Sequence, residues 1–306
     1  MKSKILTLLS QSDGIVSGEA LSKQLGVSRV AVWKHIRQLQ AAGYALEATA
    51  KGYRLLESSD TPYPWNFGGF SESVHYYPKV TSTMERAMAL AREGCRDFTV
   101  VVADVQTQGR GRLHRKWRSD AGGLYFTMVL RPQIPPAEAP LLNLAAAVDL
   151  AQILKQLYGI EARLKWPNDV QVDGRKIAGI LSLMEAESDR VTFVALGIGI
   201  NINNSPAHLD QPVTSISRLI GRSTSRSDFL KAFLDAFHQR LNQDFPADLI
   251  AQWKQLSSTL GQKVKIRTTT SDHEGIAVDI DSSGALVLKT VDGDLRPVVF
   301  GDCFYN

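Results

Sequence analysis

Residues 106–117 read Gln-Thr-Gln-Gly-Arg-Gly-Arg-Leu-His-Arg-Lys-Trp, and no other stretch of the 306 residues concentrates so much charge around glycine. Gly109 and Gly111 permit backbone conformations and close approaches that a β-carbon prevents. Arg110, Arg112, Arg115, Lys116 and Arg118 surround them with fixed donors and positive charge, chemistry suited to a phosphate or a carboxylate. Apolar runs lead in (98–103) and out (124–130), so the segment is predicted to be a long, basic, flexible loop between two core strands. Taken alone, such a loop is open to three readings: a solvated connection, a nucleic-acid contact or an anion site.

Other residue types suited to a ligand lie on both sides of it. Ser82 and Thr83 precede a helix over 84–92 that Gly94 ends. Their hydroxyls serve either as helix caps or as holders of a small polar ligand at the positive helix end. Lys165-Trp166-Pro167-Asn168-Asp169 leads into a hairpin whose turn is marked by Asp173-Gly174. Lys176 follows that turn, and a lone lysine there is expected to face solvent, as is Lys165. The returning run 191–203 alternates glycine with isoleucine, which suggests close approach of a ligand or of another backbone. No Ser/His/Asp or Cys/His arrangement requires a covalent intermediate; His75 and His114 read as surface or structural residues.

These groups need elements to hold them. In the first sixty residues a helix starts at Lys4 and ends near Gly14; Ser17 and Gly26 bracket a second, and Ser28 caps a third running to about Ala42. Val32, Ile36 and Leu39 keep the spacing of a buried face, leaving Arg29, Lys34 and Arg37 outward, as in a helix–turn–helix that enters the major groove. Short strands at 43–47 and 52–56, joined by a turn bearing Lys51, complete a winged helix; the alternative is a small bundle used for protein contacts. Breaker residues at 58–64 mark a domain boundary. Further on, 132–140 is a proline-rich connection, and 141–157 is a core helix whose only acid is Asp149. Residues 227–242 form a helix with a core stripe of Phe229, Phe233, Phe237 and Leu241, and 248–257 form another. From Gly261 four short strands (263–266, 275–280, 285–288, 296–300) read as a small SH3-like barrel, with Arg296 a candidate contact.

Composition is that of an ordinary globular chain with a net charge of +4, unevenly placed. Residues 1–60 hold eight Lys/Arg against five Asp/Glu, a balance of +3, and the basic loop adds five more positives against Asp104, which suggests two separate anionic partners. Cys95 and Cys303 have no metal-ligand spacing and fit a reducing compartment. The N-terminus lacks a signal-peptide pattern and no apolar run approaches membrane-spanning length, so the expected location is cytoplasmic, with no membrane partner.

The motifs T-S-T, Q-T-Q-G-R-G-R-x-x-R-K-W, K-W-P-N-D, G-R-K-I-A-G-I-L and G-I-G-I-N closely resemble those of the biotin–protein ligases, and with the winged helix the chain resembles the bifunctional bacterial form, ligase and biotin operon repressor together. The resemblance covers essentially the whole chain. It implies an α+β multidomain architecture: a winged helix-turn-helix DNA-binding domain at 1–60, a central α/β ligase domain with a mixed sheet at 66–260 and an SH3-like β-barrel at 261–306. It further implies that biotin and ATP, with magnesium, give biotinyl-5′-AMP, and that biotin then passes to a lysine of a biotin carboxyl carrier protein. The resemblance implies too that the adenylate-bound form either meets the carrier protein or homodimerises and binds a palindromic operator.

Carried onto this sequence, the family's roles make Arg110, Gly111 and Arg112 a loop that orders over biotin and phosphate, and make Lys176 the group that neutralises charge at the reacting carboxylate, against the solvent-facing expectation. Ser82, Thr83 and Gln106 would meet the ureido end of biotin, with Gly109 and Gly197 giving backbone contacts. Trp117 and Asn201 fall on the adenine side. Asn168 and Asp169 orient the phosphate or its magnesium, with no firm protein ligand to the metal. Arg29, Lys34, Arg37 and Lys51 would contact DNA. The family often has asparagine after Ser-Thr; Met84 stands there, removing one polar contact. Three other readings stay open: a ligase whose winged helix regulates nothing, a non-catalytic biotin sensor, and a lipoate ligase.

Overall fold

In a computed structural model of the protein, the helix starts foreseen at Ser17 and Ser28 are both present. Each serine hydroxyl accepts a hydrogen bond from the backbone N–H three residues on, from Ala20 at 3.0 Å and Ala31 at 3.2 Å, satisfying a donor that the first helical turn leaves open. The structure describes every residue except Asp13, His114, 207–211, Asp244, Ala247, Thr269 and Asn306. The predicted place of His114 therefore lies outside the described residues.

The chain divides into two compact units, Met1–Val74 with Ser225–Lys231, and His75–Thr224 with Ala232–Asn306. In the first, α1 (Lys2–Ser10), α2 (Gly18–Leu25) and α3 (Arg29–Ala41) are followed by the antiparallel pair β1 (Ala45–Thr49) and β2 (Gly52–Glu57). Helix α1 stops at Ser10, short of the Gly14 expected from sequence. Gly26 ends α2 in the left-handed conformation, φ +65°, which glycine adopts without steric cost. Ile5, Leu9, Leu21, Val32, Ile36 and Leu39 fill the core, so the face of α3 predicted to be buried is buried. Within this unit Asp60 receives the Arg226 guanidinium at 2.5 Å.

The second unit is built on a seven-stranded sheet in the order β3-β4-β5-β9-β8-β7-β6. Its elements are β3 (Val74–Val80), α4 (Thr83–Arg92), β4 (Thr99–Gln106), β5 (Leu124–Leu130), α5 (Ala139–Tyr158), β6 (Arg163–Lys165), β7 (Asp169–Val172), β8 (Arg175–Glu187) and β9 (Arg190–Ile200). From β4 onward the neighbours are antiparallel. Beyond β3, Thr107 and Gln108 donate to Val80 and Thr81 in turn, the sense of a parallel pair, so the sheet is mixed. Asp173 and Gly174 take φ of +49° and +72°, the primed turn that matches strand twist.

Helix α5 corrects one expectation. Pro136–Tyr158 does reach membrane-spanning length, and an 18-residue window within it has a mean hydropathy of 1.3, but 72% of that window is buried inside the molecule. A helix apolar on all sides is a core helix when other elements enclose it. After α6 (Ile216–Ile220) come α7 (Arg226–Asn242) and α8 (Leu249–Leu256). On α7, Phe233 and Phe237 are fully buried and stack at 5.4 Å, whereas Leu241 is only half-buried and ends the stripe one turn early.

The C-terminal strands β10 (Lys263–Arg267), β11 (Asp272–Ile280), β12 (Leu286–Lys289), β13 (Leu295–Val298) and β14 (Asp302–Tyr305) form one antiparallel sheet in the order β13-β12-β11-β10-β14. This is the small SH3-like unit expected, with one strand more. Too short to show a period, β14 is paired to β10 rather than to its sequence neighbour, and residues expected to extend β13, Val299 and Phe300, are exposed beyond its end.

Candidate active site

The site is a face of the central strands from which side chains are missing. Gly179 on β8 pairs with Gly199 on β9, and Leu181 with Gly197. A β-carbon on Gly197 would lie 2.8 Å from the Met84 methyl, and one on Gly199 would lie 2.5 Å from the Trp117 indole. The glycines therefore let two large side chains settle onto the main chain. Here the alternation of glycine and isoleucine places glycine on the site face and Ile198 and Ile200, both buried, on the other.

Lys176 reaches this face through a bulge. In a regular strand Lys176 and Gly179, three residues apart, would face opposite sides. Between the pairs Gln171↔Lys176 and Val170↔Ala178, β8 advances two residues while β7 advances one, which turns Lys176 to the side of Gly179. A β-carbon on Gly179 would lie 3.2 Å from Lys176 Nζ. The lysine backbone is held by Pro212 and Thr214, and its ammonium lies 2.6 Å from Asp169 with only 12% of the side chain exposed. The solvent-facing expectation is thus overturned for Lys176. Lys165 is half-buried, its ammonium 4.3 Å from the centre of the Tyr305 ring.

The basic loop doubles back on itself instead of remaining an open connection. Gly111 N–H donates to Arg115 at 2.7 Å and Trp117 N–H to Gly109 at 2.9 Å, with isolated bridges Gln106↔Ser119 and Arg110↔Lys116. Gly109 is required by this packing: a β-carbon would meet the Trp117 carbonyl at 2.3 Å. Its guanidinium groups are held by acceptors elsewhere: Arg110 by Glu85, Arg112 by the Gly301 carbonyl at 3.1 Å, and Arg115 by Asp302. Two of these three anchors belong to the link between β13 and β14 or to β14 itself.

Two cavities meet at Trp117 and Gly179. One is lined by Arg112, Arg115, Lys116, Lys165 and Lys176, five cations, against Asp169 and Asp302, two carboxylates. That balance of charge suits an anion. Burial lowers the Arg112 pKa, with Asp302 and Asp169 opposing, and burial pushes the Cys303 thiol up to about 11, which leaves it a neutral wall. The other cavity is largely apolar, walled by Met84, Trp117, Phe126 and Leu181, with Ser82, Thr83, Gln106, Arg110 and Thr127 at its polar positions.

In that second cavity the capping expectation is corrected. Ser82 is the N-cap residue of α4 but its hydroxyl caps nothing. Gln106 Oε1 does so instead, accepting from the Thr83 N–H at 2.8 Å and from its hydroxyl at 3.0 Å. Thr83 and Thr127 hydroxyls are 2.9 Å apart. Ser82 Oγ and Trp117 Nε1, both buried, have no hydrogen-bond partner among the described residues. Each orphan costs about 1–3 kcal/mol unless a ligand meets it.

Of the residues singled out from sequence, Ser82, Thr83, Met84, Gln106, Arg110, Trp117 and Gly197 line the second cavity, and Gly111, Arg112, Asn168, Asp169 and Lys176 line the first, as does Trp117. Gly109 lies within the loop, against the Trp117 carbonyl, and lines neither cavity. Asn168 donates to the Ile180 carbonyl at 2.8 Å, bracing β7 on β8. Asn201 reaches neither cavity; it is buried, donating to Thr214 and accepting from Asn204. Sequence reading missed Gly179, Gly199 and Asp302 as site residues. The alternating glycines carried a signal for the first two; Asp302 carried none, because only the fold brings β14 to the loop.

In the first unit Arg29, Lys34, Arg37 and Lys51 are all exposed. Among the described residues none of them forms an ion pair.

Comparison with known proteins gives concordant matches. The model of the biotin/lipoate A/B protein ligase family matches residues 77–201, that of an HTH domain residues 2–54, and that of the biotin protein ligase C-terminal domain residues 259–305. The bifunctional ligase/repressor BirA of Bacillus subtilis (strain 168) is 36% identical over 311 residues, covering 96% of this chain and 95% of the relative. That of Escherichia coli (strain K12) is 29% identical, covering 98% and 95%. Among solved structures, the biotin protein ligase from Aquifex aeolicus in complex with biotin and ATP matches with a TM-score of 0.65 at 28% identity, over 76% of this chain and 98% of that one.

Proposed function

We infer that this chain, which belongs to the family of bifunctional biotin–protein ligases and repressors, makes biotinyl-5′-AMP from biotin and ATP and transfers the biotinyl group to a lysine of a carrier protein. A biotin carboxylate oxygen attacks the α-phosphorus, the bond to the bridging β-phosphate oxygen breaks, and pyrophosphate leaves. The carrier amine then attacks the biotinyl carbonyl carbon, the bond to the phosphate oxygen breaks, and AMP leaves while the amine loses a proton.

The observation that carries the reading is the position of Lys176 Nζ beside Gly179, which lines both cavities. An apolar acid lying on the glycine floor brings its carboxylate to the ammonium, and a triphosphate in the cationic cavity brings its α-phosphate to the same place. Two anions must approach within bonding distance, and fixed positive charge offsets their repulsion. Ser82 Oγ and Trp117 Nε1 are the orphan groups that a polar head on the acid satisfies. Arg112 and Arg115 hold phosphate oxygens. Among the described residues no three metal-ligating side chains converge. A magnesium ion would then be held by phosphate oxygens with Asp169 or Asp302, and supplies charge neutralisation when bound.

The same reading makes residues 1–60 a DNA-binding domain, 66–260 the ligase domain and 261–306 the C-terminal domain. The adenylate-bound chain pairs with a second copy on operator DNA, in the cytoplasm, where Cys95 and Cys303 stay free thiols. The test is ATP–pyrophosphate exchange with the purified protein in the presence of biotin, lipoate or octanoate. Exchange with biotin alone is expected. Exchange driven by lipoate, or by none of the acids, overturns the assignment.

A further inference from the structure

Helix α3 has two apolar sides, and only one is used by the core. Val32, Ile36 and Leu39 are buried, while Val30 and Trp33 are 63% and 52% exposed. Val30 and Trp33 are three residues apart, so they are neighbours on one helix face near its N-terminus. By helical geometry that face also carries Lys34 and Arg37, with Arg29 at its edge. Helix α3 has no acid, and its three Lys/Arg residues have no ion-pair partner among the described residues. An exposed indole beside an exposed valine, rimmed by cations, has the make-up of an interaction surface.

The wing supplies the opposite wall. Val16 and Tyr53 exchange two backbone hydrogen bonds of 2.9 Å, and Gly52, at φ +145°, lies so close that a β-carbon would meet the Val16 carbonyl at 2.2 Å. The wing is thus pinned to the helices. Between it and α3 runs a groove lined by Arg29, Val30, Trp33, Thr49 and Lys51, with Glu19 the acid among the residues that line it.

Building on the repressor half of the function proposed above, we propose that Val30 and Trp33 read the 5-methyl groups of thymine in the major groove, while Arg29, Lys34, Arg37 and Lys51 grip the backbone. Cations on phosphate fix register but carry no sequence information. Among base-edge features the thymine methyl is the one that an apolar side chain recognises. Charge complementarity favours duplex DNA over a protein as the occupant, because the apolar pair is ringed by cations.

The test uses the full-length protein with biotin and ATP, and duplexes enriched by it from a random pool. Each thymine of the enriched half-site is replaced singly by deoxyuridine, which deletes the methyl group and leaves every hydrogen-bonding edge. At one or two positions wild-type affinity should fall about five- to tenfold. At those positions Trp33→Ala or Val30→Ala should bind the two duplexes equally. Lys34→Ala should weaken all sequences alike and keep the thymine preference. Retained binding to non-specific duplex at low salt, with an unchanged far-UV circular dichroism spectrum, checks that the winged helix of each variant is folded. If wild type is indifferent to every methyl deletion, or if both apolar variants keep the preference, the inference falls and DNA binding stands. If no sequence is enriched, the repressor reading falls with it.

Discussion

The indole of Trp117 occupies the space that a side chain on Gly199 would need: a β-carbon there would stand 2.5 Å from both Cε2 and Nε1. The partner glycine across the strand pair, Gly179, leaves 3.0 Å to Cζ3. Trp117 is therefore seated on two glycines, at the junction of the two cavities.

Gly199→Ala should unseat that ring without unfolding the sheet, since alanine suits an extended strand. A displacement of about 1 Å in a positioning group costs up to about 10²-fold in rate. Biotin-dependent pyrophosphate exchange should fall at least about tenfold, and tryptophan emission should shift toward that of a hydrated indole. Unchanged emission with unchanged exchange means that Trp117 does not rest there in solution.

Lys176→Met keeps the aliphatic stem and removes the charge. Loss of a preorganised charge of this kind lowers the chemical step by about 10²–10³-fold. Exchange should drop by that amount, while transfer from supplied biotinyl-5′-AMP is affected less. Equal losses in both half-reactions place Lys176 in ligand binding generally.

Arg112→Ala removes a half-buried guanidinium that, among the described residues, hydrogen-bonds to the Gly301 carbonyl alone. Retained biotinyl-5′-AMP should dissociate at least about tenfold faster, at the level of one charge-assisted hydrogen bond, with little change in melting temperature. Adenylate release at the wild-type rate removes Arg112 from the phosphate side.

Arg240→Ala probes the core through Asp149, whose side chain is 2% exposed and lies 2.6 Å from the guanidinium. Burial raises the Asp149 pKa, with the Arg240 hydrogen bond and charge opposing. A carboxyl whose folded pKa exceeds its unfolded one contributes stability that is full below the unfolded pKa and is lost as pH rises through the folded pKa. Without Arg240 that loss grows. The variant should be about 3–5 kcal/mol less stable near neutral pH, and the gap should narrow as pH falls and Asp149 takes up a proton. Urea unfolding at neutral and mildly acidic pH measures both; a gap independent of pH rules out Asp149 as its source.

The elements were legible wherever local chemistry sets them. Ser17, Ser28 and Gly26 announced helix ends because caps act on adjacent backbone, and Asp173-Gly174 announced a turn that needs two positive φ angles. What the residues themselves could not disclose was the setting of Lys176. Its neighbourhood in sequence resembles any exposed turn, and only the bulge in β8 carries it to the site face. Asp302 was hidden for a different reason, since β14 finds its partner strand by tertiary pairing. Gln106 was singled out, but as a ligand contact; that it caps α4 follows from β4 ending beside that helix.

The floor beneath the apolar cavity is peptide backbone, and this bears on how the protein can acquire a taste for another acid. Natural drift and the laboratory both act through side chains, and at Gly179, Gly197 and Gly199 the only available change is to fill space already taken. Discrimination among acyl chains can therefore be retuned at the walls alone, at Met84, Leu181 and Trp117. A screen for altered substrates that spares the three glycines and varies those walls searches the part of sequence space where the pocket survives.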